Sequence, residues 1–395
     1  MRLLDKKVFG TLFFSIFAAV MGMGIVVPLL PVYAHDLGAS GLYIGMIFGA
    51  FALSRTFFLP LFGRLSDKSG RKPFIVIGLF FYAVISIGFV FSTSVEMLIV
   101  LRFVQGIASA MIMPVVQAYV GDITPEGKEG SVMGLFNMSM FLGLSLGPIL
   151  GGVIRDKFTL QASFIVMGLL AFAGFCLSLF FLPPTSSEKT GSKLKPQAKW
   201  RILIRDRTIA GLFIYRYVYT ACIGIIWGFL PLFCDTEFNL SSSVIGVLVT
   251  LLVLVGGIFN TPFGFLADQW DRKKMVFIGG VVVTLSVIFF RWARGVEDLV
   301  IASVVFGIGG GISMPAHMAI AVYKGSLTEA MGSVMALLTM AQSMGMLTGS
   351  VLAGLMMDTM QLRDAFVAGS VMMAAGTVIF ALCLHQEPVK SMENT

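Results

Sequence analysis

Residues 63–73 read GRLSDKSGRKP: five charges of mixed sign in eleven positions, opened by a glycine and closed by a proline. Long apolar runs stand on both sides. Half a chain later, residues 264–274 read GFLADQWDRKK, with the same order of glycine, aspartate and basic pair. The rest of the composition says what surrounds these islands. Of 395 residues, 57% are hydrophobic and 12% charged, where soluble domains carry about 25% charged residues. Mean hydropathy is +0.92. A soluble core of this size cannot hide so much apolar surface, so a lipid bilayer is the expected solvent. The formal net charge of +7 reads as basic loops that set membrane orientation, with no nucleic-acid partner.

A crossing helix needs about 20 mostly apolar residues. Twelve such runs are present, over 8–33, 42–62, 74–92, 97–121, 131–154, 162–182, 209–233, 243–266, 275–293, 299–322, 330–356 and 365–384. The expected fold is an all-α polytopic membrane protein of twelve transmembrane helices. Of the 28 Lys and Arg residues, twenty fall at the termini and on the loops sharing their side. Four (Arg155, Lys157, Arg294 and Arg363) fall on the opposite side, and Arg55, Arg102, Arg216 and Arg291 lie inside spans. Positive charge collects on the cytoplasmic side, so both termini are expected in the cytoplasm and the protein in the cell (inner) membrane. The basic stretch 183–207 separates six spans from six and reads as a cytoplasmic linker between bundles at 1–182 and 208–395. Cys176, Cys222, Cys234 and Cys383 show no paired spacing and read as small hydrophobes.

The two halves echo each other at an offset of about 200 residues. Gly63 meets Gly264, Asp67 meets Asp268, Arg71 meets Arg272, Pro114 meets Pro315, Gly147 meets Gly349 and Asp156 meets Asp358; GSVM at Gly130–Met133 returns at Gly332–Met335. Ordered matches of this kind mark duplication, a common transporter architecture of two pseudosymmetric six-helix bundles.

On these residues the whole chain resembles the major facilitator superfamily. Residues 63–73 resemble its signature for the loop between spans 2 and 3, with Gly63, Asp67, Gly70, Arg71 and Lys72 in place. RFVQGIASA, from Arg102, resembles the fourth-span signature. GLSLGPILGG, Gly143 to Gly152, resembles the fifth-span signature of the drug:proton antiporter branch, carried here by Gly143, Gly147, Pro148, Gly151 and Gly152. The resemblance implies that Asp67, and by the repeat Asp268 with Arg272, forms a cytoplasmic latch across the seam between halves in an outward-facing state. It ties Arg102 to proton coupling. From the residues themselves, Gly63 is expected to permit close helix approach and Gly70 to supply a turn with positive φ. The fifth-span glycines at i, i+4 and i+8 share a helix face; that face serves either to seal the halves or for ordinary packing.

Ionisable groups deep in a span are functional candidates. Arg55, Arg102, Arg216 and His317 qualify, whereas no acidic residue occupies the centre of a predicted span. Arginine does not deprotonate, so each needs a carbonyl, water or an anionic substrate as partner. The embedded cations are not repeated between the halves, which assigns them to cargo rather than machinery. Arg55, Arg216 and Arg102, with Tyr215 and Tyr219, are the expected substrate-binding residues of a positive central cavity; Arg102 and His317 are the proton-coupling candidates. Asn137, Asn260, Gln117 and Gln342 read as interhelical hydrogen bonders. No phosphate-cradling loop, metal-ligand cluster or catalytic constellation is present in the sequence, so neither cofactor nor metal is expected and the protein is not an enzyme. The expectation is a monomeric exporter of an amphipathic, anionic organic compound, driven by protons through alternating access. An organic-anion importer or exchanger, a lysolipid flippase and a receptor on the same scaffold are the rivals.

Overall fold

The computed structural model describes residues 6–125, 129–184, 206–328 and 331–385. They form α1 (Lys6–Asp36), α2 (Gly41–Ser69), α3 (Lys72–Val90), α4 (Val95–Ile123), α5 (Glu129–Lys157), α6 (Leu160–Phe181), α7 (Arg207–Phe238), α8 (Ser242–Gln269), α9 (Arg272–Trp292), α10 (Val296–Leu327), α11 (Met331–Thr359) and α12 (Leu362–His385). All twelve carry a stretch long and apolar enough to cross a bilayer. Among the described residues there is no strand. Residues 185–205 of the basic linker lie outside the described residues.

Local chemistry sets the helix ends. Ser94, Thr159, Asp206, Ser241 and Asp271 each turn a side-chain oxygen onto a backbone N–H of the first turn, satisfying donors that the helix leaves unpaired. Gly70 has φ +88°, as its sequence position predicts, and ends α2 two residues before Lys72 opens α3, with Pro73 in its first turn. Pro28, Pro31, Pro60, Pro114 and Pro148 all lie inside helices, as membrane helices tolerate where neighbouring groups satisfy the freed carbonyls.

The packing repeats. In the first half α1 packs on α5 and α6, α2 on α4, and α3 on α6; in the second, α7 packs on α11 and α12, α8 on α10, and α9 on α12. The central helices are α1 and α7, whose most apolar windows are 78% and 83% buried. Phe80, Phe180, Leu285 and Val371 point outward from the bundle, as lipid-facing positions require.

The halves touch along α2–α11, α5–α8 and α1–α7. We call the face at the start of α1 and end of α12 the terminal face, and the other the distal face. Among the described residues, the halves share five hydrogen bonds: Gly41 and Leu42 to Asp358, Ser242 and Ser243 to Asp156, and Thr250 to the Ser145 carbonyl. All lie in the distal portions of their helices. Toward the terminal face, a Cβ at the seam positions Gly63 and Gly264 would meet no atom of the other half. The molecule is shut at its distal face and open toward its terminal one.

This state corrects one expectation. A Cβ at Gly63 would meet nothing within 4 Å: the close approach expected there is missing because the terminal ends of the halves stand apart. Gly147 behaves otherwise. A Cβ there would lie 2.6 Å from the Met21 carbonyl oxygen and 2.8 Å from Gly24 Cα. Gly147→Leu is therefore expected to lower the thermal unfolding midpoint in detergent, by a cost of about 1–3 kcal/mol for overpacking. Gly63→Ala should leave the midpoint unchanged or raise it, by up to about 1 kcal/mol in helix propensity.

Candidate functional site

Three arginines inside the helices sit at three depths. Arg102 is seven residues from the distal start of α4, Arg55 is at the midpoint of α2, and Arg216 is nine residues from the terminal start of α7. At 1.5 Å per residue, Arg216 lies roughly 14 Å in from the terminal face. Among the described residues, no ion pair involves any of the three.

Arg216 is half-buried. Its Nη2 donates to Gln342 Oε1 at 2.7 Å and its Nη1 to Met314 Sδ at 2.8 Å. The group therefore bridges α7, α10 and α11 through two neutral acceptors, which orient the guanidinium but leave its charge uncompensated. An amide oxygen and a thioether are weak partners for a full positive charge. A carboxylate or phosphate arriving from the open terminal side would be a better one.

The neighbouring tyrosines divide. Tyr219 stacks on Phe306, with centroids 5.8 Å apart, and its hydroxyl takes the space a side chain at Gly310 would fill. Tyr215 is fully buried between His317 and Phe380, at centroid distances of 5.7 and 5.4 Å. It is part of the second half's core rather than a wall of the opening. His317, also fully buried, donates from Nε2 to the Leu212 carbonyl at 2.9 Å, and its Nδ1 has no hydrogen-bond partner. The Leu212 carbonyl can only accept, so the ring carries its proton on Nε2.

In the first half, Arg102 is 1% exposed and lies in the α2–α4 seam. Its guanidinium sits over Phe51 at 4.4 Å and Phe48 at 5.1 Å, and Nη1 donates to Gln105 Oε1 at 2.8 Å. Arg55, half-buried, borders a recess of about 10 Å³ shared with Met23, Tyr82 and Ser109, room for about one water. Its Nε is buried without a hydrogen-bond partner. The structure thus brings Arg216, Tyr219 and Gln342 together, keeps Arg55 at the midplane, and places Arg102 and Tyr215 in packed interior.

The pairings described for the charged loops lie within their own halves. Asp67 pairs with Arg71, whose Nε also reaches Asp122 at 3.2 Å and whose Nη1 donates to Ser66 Oγ at 2.8 Å. Asp268 lies 3.6 Å from Arg272, which donates to the Ala267 carbonyl. Lys72 begins α3. The side chains of Asp67 and Asp268 are 51% and 72% exposed. The fifth-span glycines split by direction: Gly143, Gly147 and Gly151 face α1 of the same half, whereas Gly152 abuts Ser242 of α8 and Pro148 abuts Gly246. Packing and seam each claim part of one motif.

Three groups escaped the sequence reading. Gln342 was expected to be an ordinary interhelical bond yet holds Arg216. Met314 carried no signal among many methionines. Asp156 and Asp358 were visible as a repeat match, while their partners are backbone amides of the other half.

Comparison with known proteins places these features in context. The family model of the Major Facilitator Superfamily matches residues 12–236 and 217–395. An uncharacterized MFS-type transporter of Methanocaldococcus jannaschii is 28% identical over 367 residues, covering 92% of this chain and 94% of that protein. The quinolone resistance protein NorA of Staphylococcus aureus (strain Mu50) is 28% identical over 407 residues, covering 98% and 99%. Among solved structures, a point mutant of the nucleoside transporter NupG superposes with a TM-score of 0.84 at 14% identity, covering 95% of this chain and all of that one. A bacterial homolog of the human lysosomal transporter Spinster, inward-facing and occupied, gives 0.84 at 13% identity, with 97% of each chain covered.

The two aromatic rings around Arg102 lead to a test. Arg102→Lys keeps the charge but loses the planar group that stacks, so it is expected to lower thermal stability by about 1–2 kcal/mol, read as a reduced unfolding midpoint of the purified protein.

Proposed function

The chain belongs to the Major Facilitator Superfamily, and from that premise we propose that it exports an amphipathic organic compound bearing an anionic group, exchanging it for protons by alternating access. It is a multi-pass membrane transporter of small molecules, not an enzyme. The observation that carries the proposed anionic cargo is Arg216, held by Gln342 and Met314 with no carboxylate in reach among the described residues, on the open side of the molecule. Tyr219, stacked on Phe306, lies one turn along α7 from it, and Arg55 adds a second positive group at the midplane. An anionic head on an apolar body fits such a lining.

Direction and coupling rest on other support. The Gly143–Gly152 motif and the likeness to a quinolone resistance protein favour export. Protons are the proposed coupling ion, with Arg102 and His317 as the residues for that role. The distribution of Lys and Arg supports termini in the cytoplasm of a cell (inner) membrane, so the open terminal face is the inward-facing one. Two bundles at 1–182 and 208–395, joined by 183–207, rock about the central cavity of a monomer. Asp67 and Asp268, exposed in this state, are the proposed latches of the outward-facing state.

A second reading has a specific observation behind it. No acidic residue lies at the centre of a span to carry a proton, which favours an organic-anion exchanger of the same fold.

Proteoliposome transport tests both. Arg216→Gln should slow transport of an anionic amphiphile, such as a carboxylated dye, by about tenfold or more, the scale of a charged hydrogen bond. A cationic dye of similar size should be affected much less. Equal loss for both probes, or none, would count against the positive cavity. Transport that needs an imposed pH gradient supports antiport; full counterflow without one supports exchange. Asp67→Asn should slow transport with expression intact, and an unchanged initial rate would remove the inner latch.

A further inference from the structure

We infer that Asp156 and Asp358 are paired positioning residues of the transport cycle, closing the distal face by capping helices that belong to the opposite half. Asp358, at the end of α11, accepts from the backbone N–H of Gly41 at 2.6 Å and of Leu42 at 2.8 Å, the first two residues of α2. Asp156, at the end of α5, accepts from Ser242 at 3.1 Å and Ser243 at 2.7 Å, the first two residues of α8. Each carboxylate spends one oxygen on each amide.

A helix start leaves four amides unsatisfied and carries partial positive charge. In α8 the local cap Ser241 serves Val244, leaving the first two amides to Asp156. In α2 the flanking Ser40 makes no side-chain cap bond at all. These helices are therefore finished from across the seam. One turn before each aspartate stands a glycine, Gly152 and Gly354, which abuts the backbone of Ser242 and Gly41 respectively. The pattern Gly-x-x-x-Asp thus occurs at 152–156 and at 354–358. Position i lets the backbones touch, and position i+4, on the same face, reaches the helix end.

The duplication makes two such devices, one on each side of the molecular pseudo-twofold axis. Both are engaged here, while Asp67 and Asp268 on the terminal face pair within their own halves. Opening the distal face breaks both caps and hands four amides to water. The seam is polar at its rim and replaceable by solvent, which suits a contact that must break in every cycle.

Double electron–electron resonance on full-length protein in nanodiscs tests this. Spin labels at Phe91→Cys and Trp292→Cys, both exposed at distal helix ends, report the distal separation, with Cys176 and Cys383 replaced by Ser. Asp156→Ala or Asp358→Ala should each shift the closed-to-open ratio about fivefold toward open, and the double variant on the order of twenty-five-fold. Asn in place of Ala, which keeps one acceptor oxygen, should give an intermediate shift. The transport assay should show a changed maximal rate with KM little altered, because neither residue touches the Arg216 region. Melting curves of the same samples separate gating from misfolding: a folded double variant whose distal distances match the parent's overturns the inference, as does a lower midpoint with the distance distribution unmoved.

Discussion

Two carboxylates that cap helices of the opposite half are the contact on which this architecture hangs. Among the described residues the halves meet at few polar points, four at the distal rim and a fifth, Thr250 to the Ser145 carbonyl, deeper in the seam. Everything toward the other face is spread. Closing one end of a paired bundle forces the other end apart when each half is internally rigid, and the internal packing here is tight. Gly147 against Gly24 in the first half, and Gly349 against Ala221 in the second, bring helices close enough that each half moves as one piece. A rigid half and a breakable rim together give rocking about the middle.

The embedded arginines show how the same side chain is accommodated in two ways. Arg102 is enclosed by two aromatic rings and an amide oxygen, so its charge is stabilised by fixed surroundings. Arg216 has the poorer shell and the nearer opening. A half-buried cation with weak neutral partners keeps part of its desolvation cost. The difference lies in neighbours contributed by distant segments, not in the arginines.

Most of the fold was legible because membrane crossing leaves a signal in every twenty residues, and because residues 63–73 and 264–274 announce the duplication. Most helix ends run a few residues past the apolar spans, since backbone hydrogen bonding continues beyond the hydrocarbon, whereas α3, α6 and α9 end one or two residues short. The site was less legible. Phe48 and Phe51 lie about fifty residues from Arg102, and Gln342 and Met314 lie on helices far along the chain from Arg216; spacing cannot show that they converge. The aspartates at 156 and 358 were harder still. Their partners are main-chain amides, which every residue but proline has, so no residue type marks the target. The glycine one turn earlier is the sequence sign. The close approach expected at Gly63 is not found here, because a sequence describes all conformations at once and a structure one.

The seam between halves is built from main chain, small residues and two acids, whereas the lining near Arg216 is built from side chains that the duplication does not echo. Selectivity and motion are therefore encoded in separate alphabets. A new preference in cargo can arise by exchange of a few lining groups while the hinge keeps its tuning, and the drivetrain can be inherited unchanged by transporters of unlike molecules.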